Sequence, residues 1–187
     1  PELIHSFHEE YPDISMEIFQ GTYDDVVYWI KNGVVDVGFL SVSSAADIPI
    51  EPLYKDPLLC VVQKGHRTSK EPMSIEEMKN CQFVTQREST DADIQNFMKE
   101  NHLDVRSSYH VVDDLSTVVM VANGFGICLM PEMVMKDIPY EVDCFPVKPD
   151  ACRIIGIAAL NPDNMAPAVR TFYNLSLIHI SEPTRRR

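Results

Sequence analysis

The spacing of apolar and polar positions changes period repeatedly along the chain, and each change marks an element. Leu3, Ile4, Phe7 and Tyr11 fall on one face of a helix predicted over residues 1–11, with Pro1 suited to its first turn. Residues 14–19 alternate apolar and polar before Gln20-Gly21, which predicts a strand and a turn. Thr22 then offers an N-cap, and Asp24 and Asp25 suit the positive end of the helix that follows. Tyr23, Val26, Val27 and Ile30 give that helix an apolar stripe, and Asn32-Gly33 ends it. Residues 34–40 are an apolar run broken by Asp36, as in a buried strand. This helix–strand alternation implies an α/β protein with a parallel sheet.

The alternation continues. Residues 41–52 read as a loop rich in small residues and proline, and 58–63 as a strand. Ser74 and Glu77 make a capping box for a short helix. A short strand at 82–85 leads to a helix capped by Ser89 or Thr90, with Ile94, Phe97 and Met98 on one side. A strand at 108–112 delivers Asp113 and Asp114 to the start of an unusually apolar helix ending at Gly124. Strands at 126–130, 144–147 and 154–160 and a helix at 166–174 complete the reading. No stretch approaches the ~18–20 apolar residues of a membrane span.

Composition narrows the function classes. The chain has 187 residues, 45% of them hydrophobic, with Lys+Arg 16 against Asp+Glu 28 and a formal charge of −12. That apolar fraction belongs to a globular protein. The acidic balance argues against DNA binding by this segment itself, since phosphate contacts need clustered Lys and Arg. It does not decide the sign of a small ligand, which a local pocket can set. Residues 176–187 end in three arginines and read as a non-native or disordered tail. Leaving them out gives 13 basic against 27 acidic residues.

The five cysteines show no C-x-x-C spacing, so reduced, buried thiols of a cytoplasmic protein are expected in place of a zinc site. His5 and His8, with Glu9 beside them, read as a solvated helix face. No metal or cofactor is called for. No G-x-S-x-G, H-E-x-x-H or Walker loop is present, so an enzyme is not the expected reading.

Four segments carry a resemblance. They are F-x-x-x-Y-P-x-I from Phe7, N-G-x-V-D-V-G-F from Asn32, L-Y-K-D-P-L-L-C-V-V-Q-K-G-H from Leu53 and V-M-V-A-N-G-F-G-I-C-L-M-P from Val119. In this order the chain resembles the effector-binding domain of LysR-type transcriptional regulators over about residues 1–175. The resemblance implies a type 2 periplasmic-binding-protein-like fold. Two Rossmann-like α/β lobes would be joined by two crossover strands, with a small-molecule effector between them. Lobe I would be 1–62 plus 153–175, and lobe II 63–152. It further implies a homodimer or higher oligomer, with the first helix and strand of one chain against the apolar helix from Leu115 of its partner. DNA would be bound only through an N-terminal winged helix-turn-helix absent from this chain. The competing readings are an extracytoplasmic solute-binding protein of the same fold and an enzyme on this scaffold.

Ligands in doubly wound sheets lie beyond the carboxyl ends of strands, near helix N-termini. That rule selects Ser41 and Ser43, then Gln86, Arg87, Ser89 and Thr90, and then Asp113. Phe125, Gly126 and Ile127 join them as a turn that could expose backbone N–H groups. Hydroxyls and free N–H groups at 86–90 suit a carboxylate or sulfate, and Arg87 could clamp it with two hydrogen bonds. The resemblance places this same loop in the cleft. Asp113 also reads as a plain helix cap.

Overall fold

A computed structural model describes residues 2–86, 92–105, 107–111 and 113–181. The chain divides into two compact units, Pro1–Tyr54 with Ile154–Arg187, and Lys55–Arg153. It passes between them inside two strands, β2 (Ile50–Gln63) and β8 (Cys152–Ala158). The first passage falls after Tyr54, earlier than the expected 62, because Leu58, Cys60, Val61 and Val62 are all core residues of the second unit.

In the first unit, α1 (Glu2–Glu10) and α2 (Tyr23–Lys31) form where the apolar stripes predict them. Thr22 closes a capping box on α2: its hydroxyl accepts the Asp25 N–H at 3.2 Å, and Asp25 Oδ2 accepts the Thr22 N–H at 2.9 Å. β1 (Gly38–Ser41) runs antiparallel to β8, from Gly38 opposite Ala158 to Ser41 opposite Ile155. The parallel sheet expected from residues 1–40 is therefore not what forms among the described residues. Residues 14–19 enter no ladder, and Met16, Ile18 and Phe19 stay exposed. Their alternation satisfies a strand's pattern, but a strand also needs a neighbour to take its N–H and C=O groups. Ile30, Leu40, Ala45, Ile48 and Ala158 form this unit's core.

α7 (Pro167–Ser181) corrects another expectation, since it continues well beyond Asn174. Ser176 is fully buried and donates its hydroxyl to the Phe172 carbonyl at 2.8 Å. Residues 176–181 are thus part of the folded helix, and 182–187 lie outside the described residues.

The second unit is built on alternating strands. The later part of β2 lies between β6 (Cys128–Pro131) and β7 (Val142–Lys148), antiparallel to both. β3 (Met73–Ser74) pairs parallel with β7. β4 (Phe83–Gln86) pairs parallel with β5 (Ser107–Val111), and Phe83 also forms a parallel bridge with Ile127. Successive residues alternate faces. Leu58, Cys60, Val62, Phe83, Ile127 and Leu129 join one core with Met78 of α3 (Ile75–Lys79) and Ile94 and Phe97 of α4 (Ala92–Glu100). Val61, Val84, Cys128 and Met130 join another with Val118 and Val121 of α5 (Asp114–Ala122). The unit is a sheet with helices on both faces, the layering that this alternation of elements requires.

All five thiols are free, with Cys60 and Cys128 buried and Cys144 exposed. Desolvation pushes the Cys60 thiol up to about 12, so it packs as a small apolar side chain.

The capping box of α3 carries a pH dependence. Glu77 accepts the Ser74 N–H at 3.0 Å and an Arg67 N–H at 2.9 Å. The Ser74 N–H first, then the Arg67 guanidinium and the Ser74 hydroxyl, hold its carboxyl down at about 2 against an ordinary 4.5. A depressed carboxyl contributes stability that is present above pH 4.5 and is lost as pH falls towards about 2. Chemical denaturation at stepped pH should show that loss, and Glu77→Gln should flatten this part of the curve. An unchanged slope would show that Glu77 is not responsible.

Candidate functional site

Because β4 and β5 are parallel, with Thr85 opposite His110 and Gln86 opposite Val111, their carboxyl ends lie side by side. The start of α5 lies at this edge, and helix starts present N–H groups to a ligand. Gln86 donates from Nε2 to Asp114 Oδ1, which ties the end of β4 to the first turn of α5. Thr85 Oγ1 and His110 Nδ1 are 3.0 Å apart across the two strands. Asp113 accepts the Ser116 N–H at 2.8 Å, and that bond draws its carboxyl below the usual carboxylate range. The Asp113 carbonyl accepts the hydroxyl of fully buried Thr117 at 2.8 Å.

Beneath this edge is a cavity of about 20 Å³, lined by Thr85, Gln86, Ile94, Gln95, Met98 and Thr117 among others. That is room for about one water. The electrostatics are specific. Asp113 and Asp114 both stand at the start of α5, so the positive end of that helix already has two carboxylates. An anion held at this edge needs cationic help from elsewhere, and Arg87 follows Gln86 directly in the sequence.

The residues selected from sequence fall into three places. Gln86 and Asp113 share the β4–β5 edge, Asp113 acting as the N-cap. Arg87, Ser89 and Thr90 lie outside the described residues. Ser41 and Ser43 belong to the first unit, at the last residue of β1 and just beyond it, where Ser41 is 1% exposed and the two hydroxyls are 3.0 Å apart. Phe125, Gly126 and Ile127 are not brought to Gln86. They precede β6, and Ile127 bridges Phe83 at the opposite end of β4, about 10 Å away at ~3.3 Å per residue. The Ile127 side chain is buried and its N–H donates to the Gln82 carbonyl at 2.8 Å, so it is not an exposed donor. Gly126 is needed for shape: its φ is +149°, and a Cβ there would stand 2.4 Å from the Gln82 carbonyl oxygen.

Thr85, His110 and Thr117 went unselected from sequence. Thr85 and His110 lie inside the strands, where the strand-end rule does not look. Thr117 sits one helical turn after Asp113, inside what reads as an apolar stripe. Among the described residues no group of three His, Cys, Asp or Glu is placed to hold a metal ion. No helix among them is long and apolar enough to cross a membrane.

Comparison with known proteins bears on the whole domain. Residues 1–179 match the family model of the LysR substrate binding domain. The chain is 24% identical over 182 residues to the uncharacterised HTH-type transcriptional regulator YoaU of Bacillus subtilis, covering 92% of this chain and 59% of YoaU. It is 24% identical over 195 residues to the transcriptional dual regulator GltC of the same organism, covering 97% of this chain and 63% of GltC. The chain thus spans about 60% of the length of these curated relatives. Two solved structures share its fold. The effector binding domain of QuiR in complex with shikimate superposes with a TM-score of 0.83 at 24% identity, covering 97% of this chain and 90% of that one. The Synechocystis CcmR regulatory domain in complex with 2-PG gives 0.87 at 17% identity, covering 97% and 91%.

Proposed function

Since the chain belongs to the LysR substrate-binding domain family, we propose that it is the effector-sensing and dimerisation part of a cytoplasmic bacterial transcriptional regulator. The match over residues 1–179 carries this reading. The DNA-reading function belongs to a part of the parent protein outside this chain, in keeping with the acidic balance. In this reading the domain senses a metabolite and does not transform it.

The effector is a small anionic metabolite held at the carboxyl ends of β4 and β5. Gln86 offers an amide to it, Arg87 pairs with its carboxylate or phosphate through two hydrogen bonds, and Ser89 and Thr90 add hydroxyls. Ser41 and Ser43 are a further pair of hydroxyls in the first unit. Binding acts on DNA only through differential affinity for two arrangements of the parent assembly. The exposed Leu115 on α5 and exposed Ile18 and Phe19 supply apolar surface for self-association.

The test is a thermal-shift screen of carboxylate and phosphate metabolites, starting with shikimate and 2-PG, followed by calorimetry on the hits. A true effector at about 100 times its Kd should stabilise the domain by ~2.7 kcal/mol. Arg87→Ala should weaken it by ~1.5–3 kcal/mol, the range for a hydrogen bond to a charged group. Unchanged affinity in Arg87→Ala for every anionic hit would sink the clamp, and no hit from the whole panel would count against the sensing role.

A further inference from the structure

The opposite end of the same strands holds a second feature, independent of the effector site. There the second unit has a recess of about 490 Å³ whose walls include Gln63, His66, Asn80, Tyr109 and Phe125. Its size is within the range of small-molecule sites, ~300–1,000 Å³.

The chemistry of its walls is selective. Tyr109 and Phe125 pack edge to face with ring centroids 5.3 Å apart, yet remain 37% and 43% exposed. They are an aromatic pair left in reach of solvent, where a flat ring could add to them. The amides are oriented by their backbone partners. Gln63 Nε2 donates to the Ala122 carbonyl at 3.3 Å, and Asn80 Nδ2 to the Glu76 carbonyl at 2.8 Å. A carbonyl can only accept, so these bonds settle which end of each amide is the NH2. The amide oxygens are then the ends that offer acceptors. Among the described residues lining the recess there is no Lys, Arg, Asp or Glu. An anion would have no fixed counter-charge there.

We infer that this recess is a second ligand site, distinct from the β4–β5 carboxyl edge, for an uncharged flat nitrogen heterocycle that carries N–H donors, a nucleobase-like ring. The ring stacks against Phe125 and Tyr109, and its N–H groups donate to the amide oxygens of Gln63 and Asn80. Gly126 keeps the floor low, since a side chain there would run into the Gln82 carbonyl.

Saturation-transfer NMR with adenine as the probe, and benzoate as an anionic control, tests this on the whole chain. Adenine should bind and benzoate should not bind at this recess. Phe125→Ala should weaken adenine roughly tenfold, as should Tyr109→Ser. Both positions are partly exposed, and a thermal melt of each variant checks that it is folded. Gln86→Ala should leave adenine binding unchanged. The inference is overturned if adenine shows no transfer at millimolar concentration, if Phe125→Ala and Tyr109→Ser bind it like the parent chain, or if Gln86→Ala abolishes it. That last result would assign the ring to the strand ends.

Discussion

Replacing Asp56 by Ala is expected to lower the stability of the second unit by ~3–5 kcal/mol, the range for breaking a buried ion pair by removing one partner. Asp56 is on β2 with no exposed surface. Its Oδ2 accepts from Arg153 Nε at 2.9 Å and lies 2.9 Å from Arg153 Nη2, while Oδ1 accepts the Met133 N–H at 2.8 Å. The Arg153 side chain is only 11% exposed, so the variant leaves a guanidinium buried beside a cavity. It also strands the Met133 N–H in the first turn of α6 (Glu132–Met135). Urea denaturation followed by far-UV circular dichroism measures the loss. Asp56→Leu combined with Arg153→Met should recover most of it, because an apolar pair of similar volume avoids the desolvation cost. A single-variant loss under 1 kcal/mol would mean that water reaches the pair.

Phe7→Ala should cost the first unit ~3–5 kcal/mol through lost burial and the cavity left behind. Phe7 is 1% exposed, with the Tyr11 ring at 5.2 Å and the Phe172 ring edge-on at 5.2 Å. It packs α1 against α7. The chain has one tryptophan, and Trp29 stands on α2 of this unit, so its fluorescence reports the first unit directly. In Phe7→Ala the fluorescence midpoint should move to lower urea. A midpoint within experimental error of the parent would show that α1 contributes little to the unit.

Elements whose signals are local were legible from the chain. The Thr22 cap, the capping box at Ser74, the Asp113 cap and the stripe of α2 depend on residues three or four apart, and all formed. What could not be read depended on distant partners. Residues 14–19 have the alternation of a strand, yet strand formation is decided by what lies alongside. β2 begins at Ile50, inside a stretch whose prolines and small residues suggested a loop, because its pairing is set by other segments. α7 outran its expected end because Ser176 finds burial and a helical hydroxyl bond that its polarity alone argued against.

The site divides the same way. The strand-end rule led to Gln86 and Asp113, which lie at one sheet edge, since it needs only the order of elements. It failed for Phe125–Ile127 because a turn before a strand and a turn after one have the same residue types. Only the parallel bridge between Phe83 and Ile127 shows which end of the sheet the turn occupies. The LysR resemblance held over the whole domain because it rests on the order of four segments, which insertions and local substitutions disturb little.

The double passage of the chain through β2 and β8 also sets an order of events at the ribosome. Lys55–Arg153 is one continuous stretch, whereas the first unit is assembled from segments on either side of it. The second unit can close as soon as its own residues emerge. The first cannot, because Phe7 must wait for Phe172 and β1 for its partner β8. Closing so long a loop is slow, and until it happens the apolar face of α1 and the edge of β1 lack their native cover. The vulnerable interval therefore runs from the emergence of α1 and β1 to that of α7 and β8, and the surface at risk is the one that waits through the whole of the second unit for its cover.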